Sequence, residues 1–102
     1  MAAKVDGATR SDETIVARAG DLTAAHIETE LVIMHIGSGK LVQLNRVATR
    51  IWENLDPPIA LGALYARIED QFDVAPDTCR AEVGELLAAF EAQGLITMTP
   101  PR

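Results

Sequence analysis

Residues 31–55, LVIMHIGSGKLVQLNRVATRIWENL, decide the fold. Leu31 to Ile36 is a short, mainly apolar run that reads as a strand. Gly37-Ser38-Gly39-Lys40 is turn chemistry, because glycine reaches positive φ without a Cβ clash. Leu41 to Leu44 returns as a second strand. Asn45 then stands where a helix N-cap belongs, with a side-chain oxygen able to accept an orphan backbone N–H. Val47, Ile51 and Leu55 follow at i, i+4 and i+8, which predicts one apolar helix face. Trp52 lies one step off that line and fits a core anchor for the helix.

Working outward, Thr14 to Ala17 is a short β-branched run, and Leu22 to Glu28 mixes alanine with β-formers; both are expected as strands. Asp56-Pro57-Pro58 ends the first helix. A second helix is predicted over Ala60 to Phe72, with Leu61, Leu64, Ile68 and Phe72 on one face. Ala60 offers no capping oxygen and Gly62 weakens the first turn, so this helix is expected to be the softest. Asp73 to Pro76 reads as a connector and Asp77 as the N-cap of a third helix, Thr78 to Gln93. Its stripe is Cys79, Val83, Leu86, Leu87 and Phe90, and Gly94 is its terminator. Leu95 to Met98 is expected as a last short strand. Strands first and helices after predict a small α+β domain.

Composition narrows the function classes. The chain has 102 residues, enough for one domain, and a net charge of −6. That charge argues against phosphate backbones as partners. With one cysteine, Cys79, no intramolecular disulfide forms, which suits a reducing, cytoplasmic compartment. No apolar run is long enough for a membrane span, and no secretion signal is evident at the N-terminus. Residues 1–13 are small and polar and are expected as a mobile tail, with residues 100–102 as a second short tail.

No catalytic apparatus is in view. His26 and His35 stand apart and match no metal-ligand spacing, so His35 reads as a sheet-surface side chain. Cys79 sits on the apolar stripe and reads as a small buried hydrophobe. The Gly37–Lys40 turn lacks the first glycine, the Ser/Thr and the following helix of a phosphate loop. No cofactor or metal is therefore expected.

The runs GKLVQLNRVATRIWENL and FDVAPDTCRAEVGELLAAFEAQGLI together resemble the PqqD-like family. Members are also called recognition elements for the precursors of ribosomally made, post-translationally modified peptides. The likeness rests on a Gly-Lys turn, a strand ending Leu-Asn, a helix carrying Ile-Trp, and a later Val-x-x-Leu-Leu-x-x-Phe helix ending in Gly-Leu-Ile. It departs in carrying Leu41-Val42 where relatives often have an aromatic pair, and Ala60 where they often cap with Ser or Thr.

The resemblance implies a winged-helix-like fold over residues 14–99: a three-stranded antiparallel sheet followed by three helices. It implies a non-catalytic module that captures a leader peptide by strand addition and presents it to a modifying enzyme. That enzyme would be a radical S-adenosylmethionine enzyme in the quinone pathway, or a leader peptidase and cyclase in lasso-peptide clusters. The implied docking strand is Lys40, Leu41, Val42, Gln43 and Leu44. The second wall is the third helix, at Glu82, Val83, Leu86 and Ala89, with the flank of Arg80, Gly84 and Leu87 as the alternative. The sheet edge also offers pairing to a second copy, hence a homodimer. The competing class is a winged-helix DNA-binding regulator; Arg80 as the single basic residue of the third helix argues against it.

Overall fold

The computed structural model describes residues 11–101. Two three-stranded antiparallel sheets and three helices form an α+β fold compatible with the winged-helix-like expectation. The first sheet joins β1 (Ile15–Arg18) at its centre to β5 (Ile59–Ala60) and β6 (Ile96–Thr99). The second runs in order β2 (Leu22–Ile27), β3 (Glu30–His35), β4 (Leu41–Leu44). The helices are α1 (Arg46–Glu53), α2 (Leu61–Phe72) and α3 (Pro76–Ala92). The expected mobile tail falls largely on residues outside those described; of it, Ser11–Glu13 are described and Asp12 contacts the helices.

The decisive segment folds as its chemistry dictates. Gly39 adopts φ +73°, its N–H donates to the His35 carbonyl at 2.7 Å, and the chain reverses over Ile36–Gly39. Asn45 caps α1 directly after β4: its Oδ1 accepts from the Ala48 N–H at 2.9 Å. The buried face of α1 is Ala48, Ile51 and Trp52, continued by Leu55. Val47 departs from the expected core line and is 52% exposed. The i+3 and i+4 neighbours of Ala48 give a more compact stripe than the one drawn through Val47.

α2 solves its poor cap without a side chain. The N–H groups of Leu61 and Gly62 donate to the carbonyls of Thr14 and Asp12, at 2.8 and 2.9 Å. Residues before β1 thus supply acceptors that Ala60 lacks. α3 begins earlier than expected. Pro76, not Thr78, opens it, and Asp77 lies in its first turn rather than at the cap. Proline is pre-set for a first helical position, where its missing N–H is no loss. The helix closes with Gly94 at φ +75°, the Leu95 N–H on the Phe90 carbonyl at 2.9 Å and the Gly94 N–H on the Glu91 carbonyl at 3.0 Å, a Schellman closure.

One core binds the layers. Leu31, Ile33 and Leu44 face it from the second sheet, Val16 and Ile96 from the first, and Leu64, Ile68, Val83, Leu87 and Phe90 from the helices. Trp52 is buried and meets Phe90 edge to face, centroids 5.9 Å apart. Arg18 stacks over the Trp52 ring at 4.8 Å and donates to the Trp52 carbonyl at 2.9 Å, satisfying the end of α1. His35 lies at the surface as read, and there it also donates from Nε2 to the Gln93 carbonyl at 2.9 Å and ties β3 to the end of α3.

Replacing Asn45 by Ala is expected to cost about 1 kcal/mol in urea unfolding, through loss of the cap. Gly94→Ala is expected to cost about 1 kcal/mol or more, because it strains a positive φ and puts a Cβ 3.2 Å from the His35 ring.

Candidate functional site

Among the described residues β4 has a partner on one side only, which leaves its other edge open. Which backbone groups line that edge follows from register. The His35 N–H donates to the Lys40 carbonyl at 2.9 Å, marking those two as a hydrogen-bonded pair. Such pairs alternate along an antiparallel ladder. With Ile33 opposite Val42 and Leu31 opposite Leu44, the backbone of Val42 and Leu44 is turned toward β3. The N–H and C=O groups of Leu41 and Gln43 therefore point to the open edge. Lys40 stands just before the strand, its N–H held by Ser38 Oγ at 3.2 Å.

The side chains divide in the same way. Val42 and Leu44 pack toward the core. Leu41 is 63% exposed, and the Gln43 amide donates to Glu30 Oε1 at 2.7 Å. The strand runs through Asn45 into a groove of about 340 Å³ between the three helices. Asn45, Val47 and Ile51 line it from the α1 side, Phe72 and Val74 from the end of α2, and Glu82, Val83 and Leu86 from α3. Glu82 is the charged side chain of this otherwise mainly apolar lining.

Of the α3 residues singled out in the sequence, Glu82, Val83 and Leu86 thus meet in the groove; Val83 is buried and forms its floor. Ala89 is exposed on α3 and lies outside the lining. Asn45, Val47, Phe72 and Val74 were not anticipated as lining. Their signal was an apolar residue at the start of α1 and two more at the α2–α3 connector, each unclaimed by a core stripe or assigned to the wrong one.

The alternative flank of α3 is occupied. Arg80 makes a bidentate pair with Asp12, both contacts 2.9 Å, and lies over the Tyr65 ring at 4.6 Å. This hydrogen-bonded guanidinium holds the Asp12 carboxyl below the usual carboxylate range. A Cβ at Gly84 would stand 3.8 Å from the Tyr65 hydroxyl, and Leu87 is buried. The one cation of α3 is therefore engaged within the chain, which weakens any reading of this helix as a DNA-groove element.

Cys79 is buried, with Sγ 3.6 Å from the Tyr65 carbonyl; burial, assisted by Glu69, pushes its thiol pKa up, the wrong direction for a nucleophile. Among the described residues there is no group of three or more His, Cys, Asp or Glu side chains placed to hold a metal, and no helix long and apolar enough to cross a membrane.

Comparison with known proteins places this geometry in a family. A solved structure described as "TbiB1 in Complex with the TbiA(beta) Leader Peptide" shares the fold, with a TM-score of 0.71 and 24% sequence identity over 78% of this chain and 93% of that one. No curated protein gives a significant sequence match. The model of the family described as coenzyme PQQ synthesis protein D (PqqD) matches residues 30–96, and it spans β3, β4, all three helices and the groove between them, so this chain belongs to that family.

Proposed function

We propose that this chain is a non-catalytic module that captures the leader segment of a ribosomally synthesised precursor peptide and presents the remainder to a modifying enzyme or leader peptidase. The observation that carries the reading is the open edge of β4 running directly into an apolar groove walled by α3. Membership of the PqqD family supports it, as does the shared fold of a protein solved with a leader peptide.

The leader adds as a further strand beside Lys40, Leu41, Val42, Gln43 and Leu44. Outward N–H and C=O groups of Leu41 and Gln43 supply hydrogen bonds that read no side chain. Specificity comes from the groove. Alternate leader side chains enter between Val47 of α1 and Glu82, Val83 and Leu86 of α3, and Ala89 continues that face for a longer peptide. The mainly apolar lining selects aliphatic or aromatic leader side chains. Glu82 favours a basic residue near them, worth about 0–1 kcal/mol at an exposed site. The smaller Leu41-Val42 pair, where relatives often carry aromatics, leaves the choice of peptide to the groove more than to the strand.

Titration of labelled protein with leader peptides encoded beside its gene is the direct test. Saturable amide shifts centred on residues 40–44 and on the Glu82 face of α3 are expected; no shift with any of them would overturn the reading. The edge geometry makes a sharper prediction. Gln43→Pro removes an outward donor and is expected to leave the fold intact while weakening leader binding by about 3- to 10-fold, the worth of one hydrogen bond. Val42→Pro removes a ladder bond to β3 and is expected to lower the melting temperature instead. Glu82→Lys is expected to weaken a basic leader by up to about fivefold, with Arg80→Ala without effect; the reverse order would move the binding wall to the other flank.

A further inference from the structure

The β4 edge borders two faces of the second sheet, and only the inner one meets the groove. Side chains alternate along a strand, so with Val42 and Leu44 packed toward the core, Leu41 and Gln43 stand on the outer face. Residues directly paired across an antiparallel ladder share a face. Met34, opposite Leu41, and Val32, opposite Gln43, therefore lie on the outer face too. Antiparallel sheets commonly turn polar side chains to solvent. Here the half-buried Met34 backs Leu41, which ends its row at the edge and is 63% exposed.

Gln43 ends the neighbouring row with a different chemistry. Its amide nitrogen donates to Glu30 Oε1 at 2.7 Å. An ionised carboxylate accepts and does not donate, so this bond fixes which end of the Gln43 amide faces Glu30. The amide oxygen is turned away from Glu30 and has no hydrogen-bond partner among the described residues. The edge thus carries an apolar side chain at Leu41 and an unused acceptor at Gln43, two positions along on the same face.

Leu41 and Gln43 are also the residues whose backbone N–H and C=O groups point to the open edge, so a peptide held by those groups covers the two side chains as well. An added strand of either direction alternates its own side chains. Its residues beside Leu41 and Gln43 are two apart and turn away from the groove. We propose that the outer face reads these two leader positions, taking an apolar side chain beside Leu41 and a hydrogen-bond donor beside Gln43. The inference rests on the leader-capture reading and adds a second set of specificity positions on the other side of the same strand. Cross-strand neighbours change affinity by up to about fivefold each, so the groove keeps the larger share of the choice.

The test is fluorescence anisotropy of the full chain with a labelled leader peptide encoded beside its gene, and with leaders carrying Lys or Glu at each position in turn. Leu41→Lys and Leu41→Glu change an exposed side chain and are expected to keep the wild-type melting temperature. At one leader position their preferences are expected to cross: Leu41→Lys binds the Glu leader more tightly and Leu41→Glu the Lys leader, each by up to about fivefold. Two residues from that position, replacing the leader's donor by Leu is expected to weaken wild-type binding by about 2- to 10-fold and to leave binding to Gln43→Leu unchanged. If the wild type binds the leader but Leu41→Lys and Leu41→Glu rank every leader alike, this inference is overturned and leader capture stands. The same holds if the Leu41 and Gln43 positions lie an odd number of residues apart, because such positions face opposite ways. A wild type that binds no leader overturns both.

Discussion

The direct passage from β4 into α1 is the constraint on which the site depends. Asn45 ends an open-edged strand and, in the same residue, accepts the Ala48 N–H that starts the helix. A flexible linker there would let the edge and the helices move apart. The cap instead fixes the angle at which the free backbone of Leu41 and Gln43 meets the groove, and Asn45 itself lines that groove. Trp52, about two turns further along, locks α1 against Phe90 of α3, so strand, first helix and third helix are held as one unit.

Around that unit the chain satisfies its polar ends economically. Arg18 caps the carbonyl end of α1, His35 that of α3, and the backbone of Asp12 and Thr14 the amide end of α2. Each tie joins elements distant in sequence, and Arg18 of β1 together with the residues just before that strand clamps α1 and α2. The clamp also disposes of the Arg80 flank of α3 and leaves the Glu82 flank facing the groove.

Local chemistry was legible in the sequence. The glycine turn, the Asn45 cap, Ala60 as the bare N-cap of α2, Gly94 and the buried Trp52 all follow from short-range rules of backbone freedom, capping and ring size. What escaped was set by distant partners. β1 pairs with β6 and with the short β5, and periodicity over a few residues says nothing of strands some eighty positions apart. Val47 escaped because an i, i+4, i+8 line fits either edge of a helical stripe, and only the position of α3 decides which edge is covered. Pro76 at the head of α3 was a readable signal outweighed by Asp77, a better capping residue in the wrong place.

The burial of Cys79 has a practical side. The chain has a single thiol, and that thiol lies beneath Tyr65 with its pKa raised. Maleimides react with thiolates, so the folded protein presents a nearly silent background to them. A cysteine introduced on an exposed strand or helix position can then carry a fluorophore or spin label selectively, without first removing the native residue from the core.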